Sequence, residues 1–289
     1  MKTNRRSFIK SSTTAILGSA LFPHWLDATV LSKPKSITIL HTNDFHSRLE
    51  AFPSNHKWAG QGGVTNIQNL LSVHKNEHSL LLDCGDVFQG TPYFNFFKGK
   101  VEYEWMNLAG YKASTMGNHE FDLGVQHLAD TINQYAQFDM LNCNYNLKDT
   151  PLNDIIKPYE IYTVNGLKIG VIGVGLQLDD LVIEENRKGI IYNNPIPIVE
   201  HWSEFLKKEK KCNAVVVISH LGYQYNSPKI DDLKLAASTS YVDVILGGHT
   251  HTYLTEPTQV INKKGKPVIV NQAHWAGLVL GKIEFTASS

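Results

Sequence analysis

The chain has 289 residues with 27 acidic and 27 basic side chains, so its formal charge is zero, which excludes a generic charge-driven partnership with nucleic acid or an anionic membrane. With 42% apolar residues, that length buries the core of one large domain rather than several. Three cysteines, Cys84, Cys143 and Cys212, are too few and odd in number for a disulfide framework.

The N-terminal segment reads as a leader. Asn4-Arg5-Arg6-Ser7-Phe8-Ile9-Lys10 resembles the twin-arginine export signal, and the uncharged stretch that follows, residues 13–22, is shorter than the about 20 apolar residues a membrane span needs. Residues 1–28 are therefore expected to be a removable signal peptide and residues 29–289 a single catalytic domain. The expected destination is the bacterial periplasm, with no lipid anchor because no cysteine lies near the leader.

Downstream, one pattern recurs: an apolar run that breaks at a potential metal ligand. Ser36–His41 alternates polar and apolar residues and breaks at Asn43-Asp44-Phe45-His46. Leu80–Asp83 breaks at Cys84-Gly85-Asp86, and Ala113–Met116 at Gly117-Asn118-His119-Glu120. After a helical stretch over Leu123–Tyr135 and a Pro/Asn stretch over Tyr192–Pro197 that reads as an interstrand loop, Ala214–Ser219 breaks at His220. Val242–Leu246 then breaks at Gly247-Gly248-His249-Thr250-His251, and Val268–Asn271 precedes His274. Singly, an Asp or Asn after a strand is a turn former and a His there is a hydrogen-bonded structural residue. Jointly, five strand ends carrying ligands predict one crevice, because mostly parallel sheets place functional groups beyond the carboxyl ends of their strands. Carboxylate and amide oxygens mixed with imidazoles suit Mn, Fe, Zn or Co.

The order D-x-H, G-D-x-x-x-G, G-N-H-E, strand-terminal His, G-G-H-x-H resembles the calcineurin-like metallophosphoesterases, and in particular the catalytic domain of the 5′-nucleotidase family, from about Ile37 to Phe285. The resemblance implies a four-layer α/β/β/α sandwich and a two-metal hydrolase of phosphate esters. It assigns Asp44, His46 and His251 to one divalent ion and Asn118, His220 and His249 to the other, with Asp86 bridging both. His119 then faces the phosphate, and Asp122 fixes its tautomer. His41 reads either as a support of the ligand carboxylate or as a packed strand-end residue, and His274 as a neighbour on the same rim.

The implied substrate is a nucleotide or another small phosphate ester. Alternatives are a broad-specificity exported phosphomonoesterase or phosphodiesterase, and a non-enzymatic binding subunit. Full-length family members continue into a second domain that stacks the base and holds phosphate with arginines. A separate nucleotide-binding protein is therefore an expected partner, and Tyr93–Phe97 and Glu200–Phe205 are candidate aromatic docking surfaces or plain core. No duplex nucleic acid and no stable membrane anchor are expected.

Overall fold

The computed structural model describes residues 35–287; the expected leader lies outside the described residues. The first half of the chain runs β1 (Lys35–Thr42), α1 (Gly63–His74), β2 (Ser79–Asp83), α2 (Pro92–Phe97), α3 (Lys100–Ala109), β3 (Ala113–Thr115), a 3₁₀ turn (His119–Phe121), α4 (Gly124–Tyr135), β4 (Asp139–Leu141) and β5 (Tyr145–Asn146). The second half runs β6 (Tyr159–Val164), β7 (Leu167–Val174), a second 3₁₀ turn (Glu184–Arg187), β8 (Ile191–Tyr192), α5 (Pro195–Lys208), β9 (Ala214–Ser219), α6 (Asp232–Ala237), β10 (Val244–Gly247), β11 (Thr258–Ile261), β12 (Pro267–Gln272) and β13 (Gly281–Ala287).

Strand alternation builds the layers, since successive side chains point to opposite faces. In β1 and β2, Leu40 and Leu81 face Ile67, Leu71 and Leu128 of the helices. Their neighbours Ile39, Leu80 and Leu82 turn the other way, against Val216, Ile218, Val244 and Leu246 of a second sheet. In that second sheet Val215, Val217 and Ile245 point outward onto Val199, Leu206 and Leu235. The result is helices, sheet, sheet, helices, the arrangement that the family resemblance implies. β9 is buried on both faces throughout, which is why it reads as an unbroken apolar run.

The five-stranded sheet has the order β13-β1-β2-β3-β4 and the six-stranded sheet β11-β12-β10-β9-β7-β6. β1, β2, β3 and β4 are mutually parallel, as are β7, β9, β10 and β12, and antiparallel strands occur only at the edges β13, β11 and β6. Parallel central strands put their carboxyl ends on one side of each sheet.

One expectation fails. Tyr192–Pro197 is not an interstrand loop: β8 ends at Tyr192 and α5 begins at Pro195, with the Asn194 side chain accepting from Ile196 N at 2.9 Å. An Asn cap followed by Pro at the first helical position is a helix-start signal, and it was masked by the loop-forming reputation of the same residues. β10 likewise starts at Val244 rather than Val242, because Asp243 accepts from Val215 N through its side chain at 2.7 Å.

Candidate metal centre

Backbone pairing carries the first two clusters past their strand ends. Cys84 N donates to Thr42 O, Asp44 N to Gly85 O, His46 N to Asp86 O and Ser47 N to Val87 O, at 2.8–3.0 Å. The loops after β1 and β2 thus stay zipped while their side chains turn into the crevice. Asp44, His46, Asp86, His249 and His251 all have φ between 51° and 72°. A left-handed backbone costs non-glycine residues of order 1–3 kcal/mol, and its concentration here marks a site whose geometry is imposed by its surroundings. Close approach needs the neighbouring glycines: a methyl on Gly117 would fall on Asp86 Oδ1 and lie 2.6 Å from His220 Nε2.

All seven candidate ligands meet. Ligand atoms of Asp44, His46 and His251 lie within 4.8 Å of one another, as do those of Asp86, His220 and His249, and those of His46, Asp86 and His119. His251 Nε2 stands 3.3 Å from Asp44 Oδ1 and 2.9 Å from His46 Nε2. Asn118 Oδ1 is 3.1 Å from His249 Nδ1. Asp86 and His46 each belong to two of the three groups, and Asp86 is the one carboxylate that does.

The residues fit cations, and His220 is the clearest sign. Its Nδ1 donates to Cys84 O at 2.6 Å, which turns Nε2 onto Asp86 Oδ2 at 3.0 Å. This buried Nε2 makes no hydrogen bond of normal geometry among the described residues. An imidazole lone pair and a carboxylate oxygen facing each other out of water need a positive charge between them. A proton can supply it: burial opposes the His220 imidazolium, but the Asp86 charge outweighs burial and raises its pKa to about 10. Asp86 is correspondingly held low, against its own burial, by His220. A divalent ion displaces that proton when it binds, since ligating histidines must be neutral. His249, by contrast, is lowered to about 4 by burial and by the neighbouring His220, and so offers a free lone pair.

His119 occupies the edge of the cluster. Its Nδ1 lies 3.0 Å from Asp122 Oδ2, and its backbone N–H donates to Asp86 Oδ1 at 2.8 Å. Burial disfavours its imidazolium, yet the Asp122 hydrogen bond and the Asp86 charge prevail and its pKa is raised.

Three supporting residues carried no signal as ligands. Glu120 accepts backbone N–H bonds from Asp86, Val87 and Gly117 at 2.6–2.9 Å, tying the loop after β2 to the loop after β3. Burial, and then the Asp86 charge, lift its pKa to about 7. Asn43 Nδ2 donates to Asp44 Oδ2 at 2.6 Å and to His274 O at 2.5 Å, while its Oδ1 accepts from Ala273 N at 2.7 Å. Trp275 stacks on His251, with centroids 5.2 Å apart and planes 4° from parallel.

Of the two undecided histidines, His41 is a packed strand-end residue. It is fully buried, bonds Asn271 Nδ2 at 2.9 Å, and is lowered to about 3 by burial. His274 spends its Nδ1 on the His251 carbonyl at 2.9 Å, so it braces the loop rather than reaching the cluster. Cys84 is a buried thiol that donates to Leu246 O at 3.3 Å.

Residues 37–253 match the model of the calcineurin-like phosphoesterase family. The chain is 35% identical over 277 residues to the snake venom 5′-nucleotidase of Gloydius brevicauda, covering 85% of this chain and 44% of that protein. It is 30% identical to the trifunctional nucleotide phosphoesterase protein YfkN of Bacillus subtilis, over 86% of this chain and 18% of that one. Among solved structures it superposes on a 5′-nucleotidase precursor from Thermus thermophilus with a TM-score of 0.75 at 32% identity, covering 86% of this chain and 51% of the other. It also superposes on the NAD nucleotidase of Haemophilus influenzae at 0.75 and 28%, covering 89% and 48%. The chain spans about half the length, or less, of these relatives. With the family model matched across most of the described domain, the chain belongs to the calcineurin-like phosphoesterases.

Proposed function

We propose that this chain hydrolyses phosphate esters, nucleotides foremost, at a centre of two divalent ions. Asp44, His46 and His251 would hold one ion, Asn118, His220 and His249 the other, and Asp86 both; Mn, Zn, Fe and Co all suit these donors. The reading is carried by the convergence of seven donors from five strand ends, with the buried His220 Nε2 aimed at Asp86 Oδ2 at 3.0 Å. When bound, such ions polarise phosphoryl oxygens and acidify water from a pKa of about 15.7 towards about 7.

The chain's own residues do the rest. Asp86 would hold both ions, and a shared carboxylate would offset the repulsion between two like charges. His119, its Nδ1 committed to Asp122, is left with Nε2–H for a phosphoryl oxygen or the leaving oxygen, where an imidazolium stabilises developing negative charge or donates its proton. Asp122 holds that tautomer and favours the charged form. The nucleotide preference is supported by the 5′-nucleotidases among the relatives. It is tested by kcat/KM of the Mn-loaded chain on AMP, a UDP-sugar, a 2′,3′-cyclic nucleotide and an aryl phosphate. Preference for one nucleotide is expected, and equal slow rates on all four would replace it with a broad-specificity esterase.

Export by the twin-arginine route is part of the same proposal, supported by the Arg5-Arg6 motif; that route carries folded proteins, so metal is loaded before export. Changing both arginines to lysine should then hold the protein in the cytoplasm, and undiminished export of that variant would refute the route. Among the described residues no helix is long and apolar enough to cross a membrane.

A further inference from the structure

The histidines of the two donor groups are held in different ways. A metal-ligating imidazole is ordinarily fixed by a hydrogen bond from its other ring nitrogen. His220 makes one, from Nδ1 to Cys84 O at 2.6 Å. His46 and His251 make none on Nδ1 among the described residues; their rings meet through Nε2, 2.9 Å apart, and both Nε2 atoms face Asp44 Oδ1, at 3.9 and 3.3 Å. His251 is also the most open of the three, its side chain 35% exposed against 10% for His46 and 0% for His220. No hydrogen bond away from the donor atom sets the turn of its ring.

Trp275 supplies that constraint. Its ring lies against His251 with planes 4° and centroids 5.2 Å apart, and it meets the edge of His46 at 6.2 Å and 69°. Offset stacking favours the imidazole rotations that keep the two planes parallel. Trp275 is itself backed by Phe52 at 5.5 Å, and Phe52 is covered in turn by His56 at 4.2 Å and by the Arg48 guanidinium at 4.4 Å. The backbone around Trp275 is pinned to the same donors. His274 Nδ1 bonds the His251 carbonyl at 2.9 Å, and Ala276 N donates to Asp44 O at 2.7 Å. Asn43 closes the loop, donating to Asp44 Oδ2 at 2.6 Å and accepting from Ala273 N at 2.7 Å. These supports run to Asp44, His46 and His251, whereas those of His220 and Asp86 run to Cys84 and Glu120.

We propose that Trp275 is a positioning residue for one ion alone: by presetting the His251 ring and shielding it from water, it sets the affinity of the ion held by Asp44, His46 and His251 and leaves the ion at His220 unaffected. An imidazole already turned to its binding orientation loses less rotational freedom when an ion arrives, and an apolar wall beside a metal site limits solvent access to it. The proposal rests on the two-ion reading and adds separate control of the two affinities.

Calorimetric titration of the metal-free chain with Mn²⁺ tests it. The wild type should show two binding events. Trp275→Leu should weaken one of them about tenfold or more, the usual effect of removing a residue that orients a ligand, and leave the other within about twofold. Trp275→Phe keeps a ring beside His251 and the packing on Phe52; it should show the same selective change to a smaller extent, and it carries the test if the leucine variant does not fold. His251→Ala should abolish the same event, and adding Trp275→Leu to it should change nothing further. Weakening of both events alike, weakening of neither, or a further loss on top of His251→Ala would overturn the proposal. If the wild type binds a single ion, the two-ion reading fails; Trp275→Leu must then still weaken that ion, and an unchanged affinity overturns the proposal separately.

Discussion

Asp86→Ala removes bound metal and activity together. Asp86 is the one carboxylate found in two of the three donor groups, its Oδ2 faces His220 Nε2 at 3.0 Å, and its Oδ1 anchors the His119 backbone at 2.8 Å. Alanine removes the nearer of the two carboxylates facing the buried His220 Nε2, leaving Asp44 Oδ1 at 3.9 Å, and would leave two cations without the anion that lets them lie close together. The expected result is hydrolysis reduced to about 10⁻⁴ of wild type or less, with metal content falling below two ions per chain by plasma mass spectrometry. Two ions per chain in the variant would show that the carboxylate is not shared.

His119→Ala separates chemistry from metal binding. His119 lies within ligand distance of His46 and Asp86, so proximity alone does not distinguish a ligand from a residue that acts on the phosphate. Its hydrogen bond does not either: Nδ1 is spent on Asp122 at 3.0 Å, which leaves Nε2 open to an ion or to the phosphate, so the metal content of the variant decides. A general acid or charge-stabilising imidazolium contributes roughly 10²–10⁴-fold. Turnover should drop by that factor while both ions stay bound. Asp122→Asn should give a smaller loss in the same direction, because the imidazole remains but its charged form is less favoured. Loss of an ion from His119→Ala would make His119 a ligand and remove it from the chemistry.

The fold and the donors were legible for the same reason. Each donor cluster terminates an apolar run, and a run of period two or of full burial is the strongest local signal a chain carries. β1, β2, β9 and β12 accordingly lie close to where the sequence places them. What escaped depends on packing between distant segments. Glu120 sits two residues after the donor Asn118 in sequence, but its role comes from three backbone N–H groups on two loops, and no residue pattern encodes which amides will converge on a carboxylate. Trp275 was visible only as the neighbour of His274, since its stacking on His251 joins segments 24 residues apart in the chain. The start of α5 was hidden because Asn193-Asn194-Pro195 suits a turn as well as a helix cap, and only packing of Val199 and Leu206 on the second sheet decides between them.

Anomalous diffraction at the manganese edge from crystals soaked in Mn²⁺ tests the centre itself. The account predicts two peaks, one among Asp44, His46 and His251 and one among Asn118, His220 and His249, with Asp86 touching both. A single peak, or a pair that leaves Asp86 bound to only one ion, would contradict it.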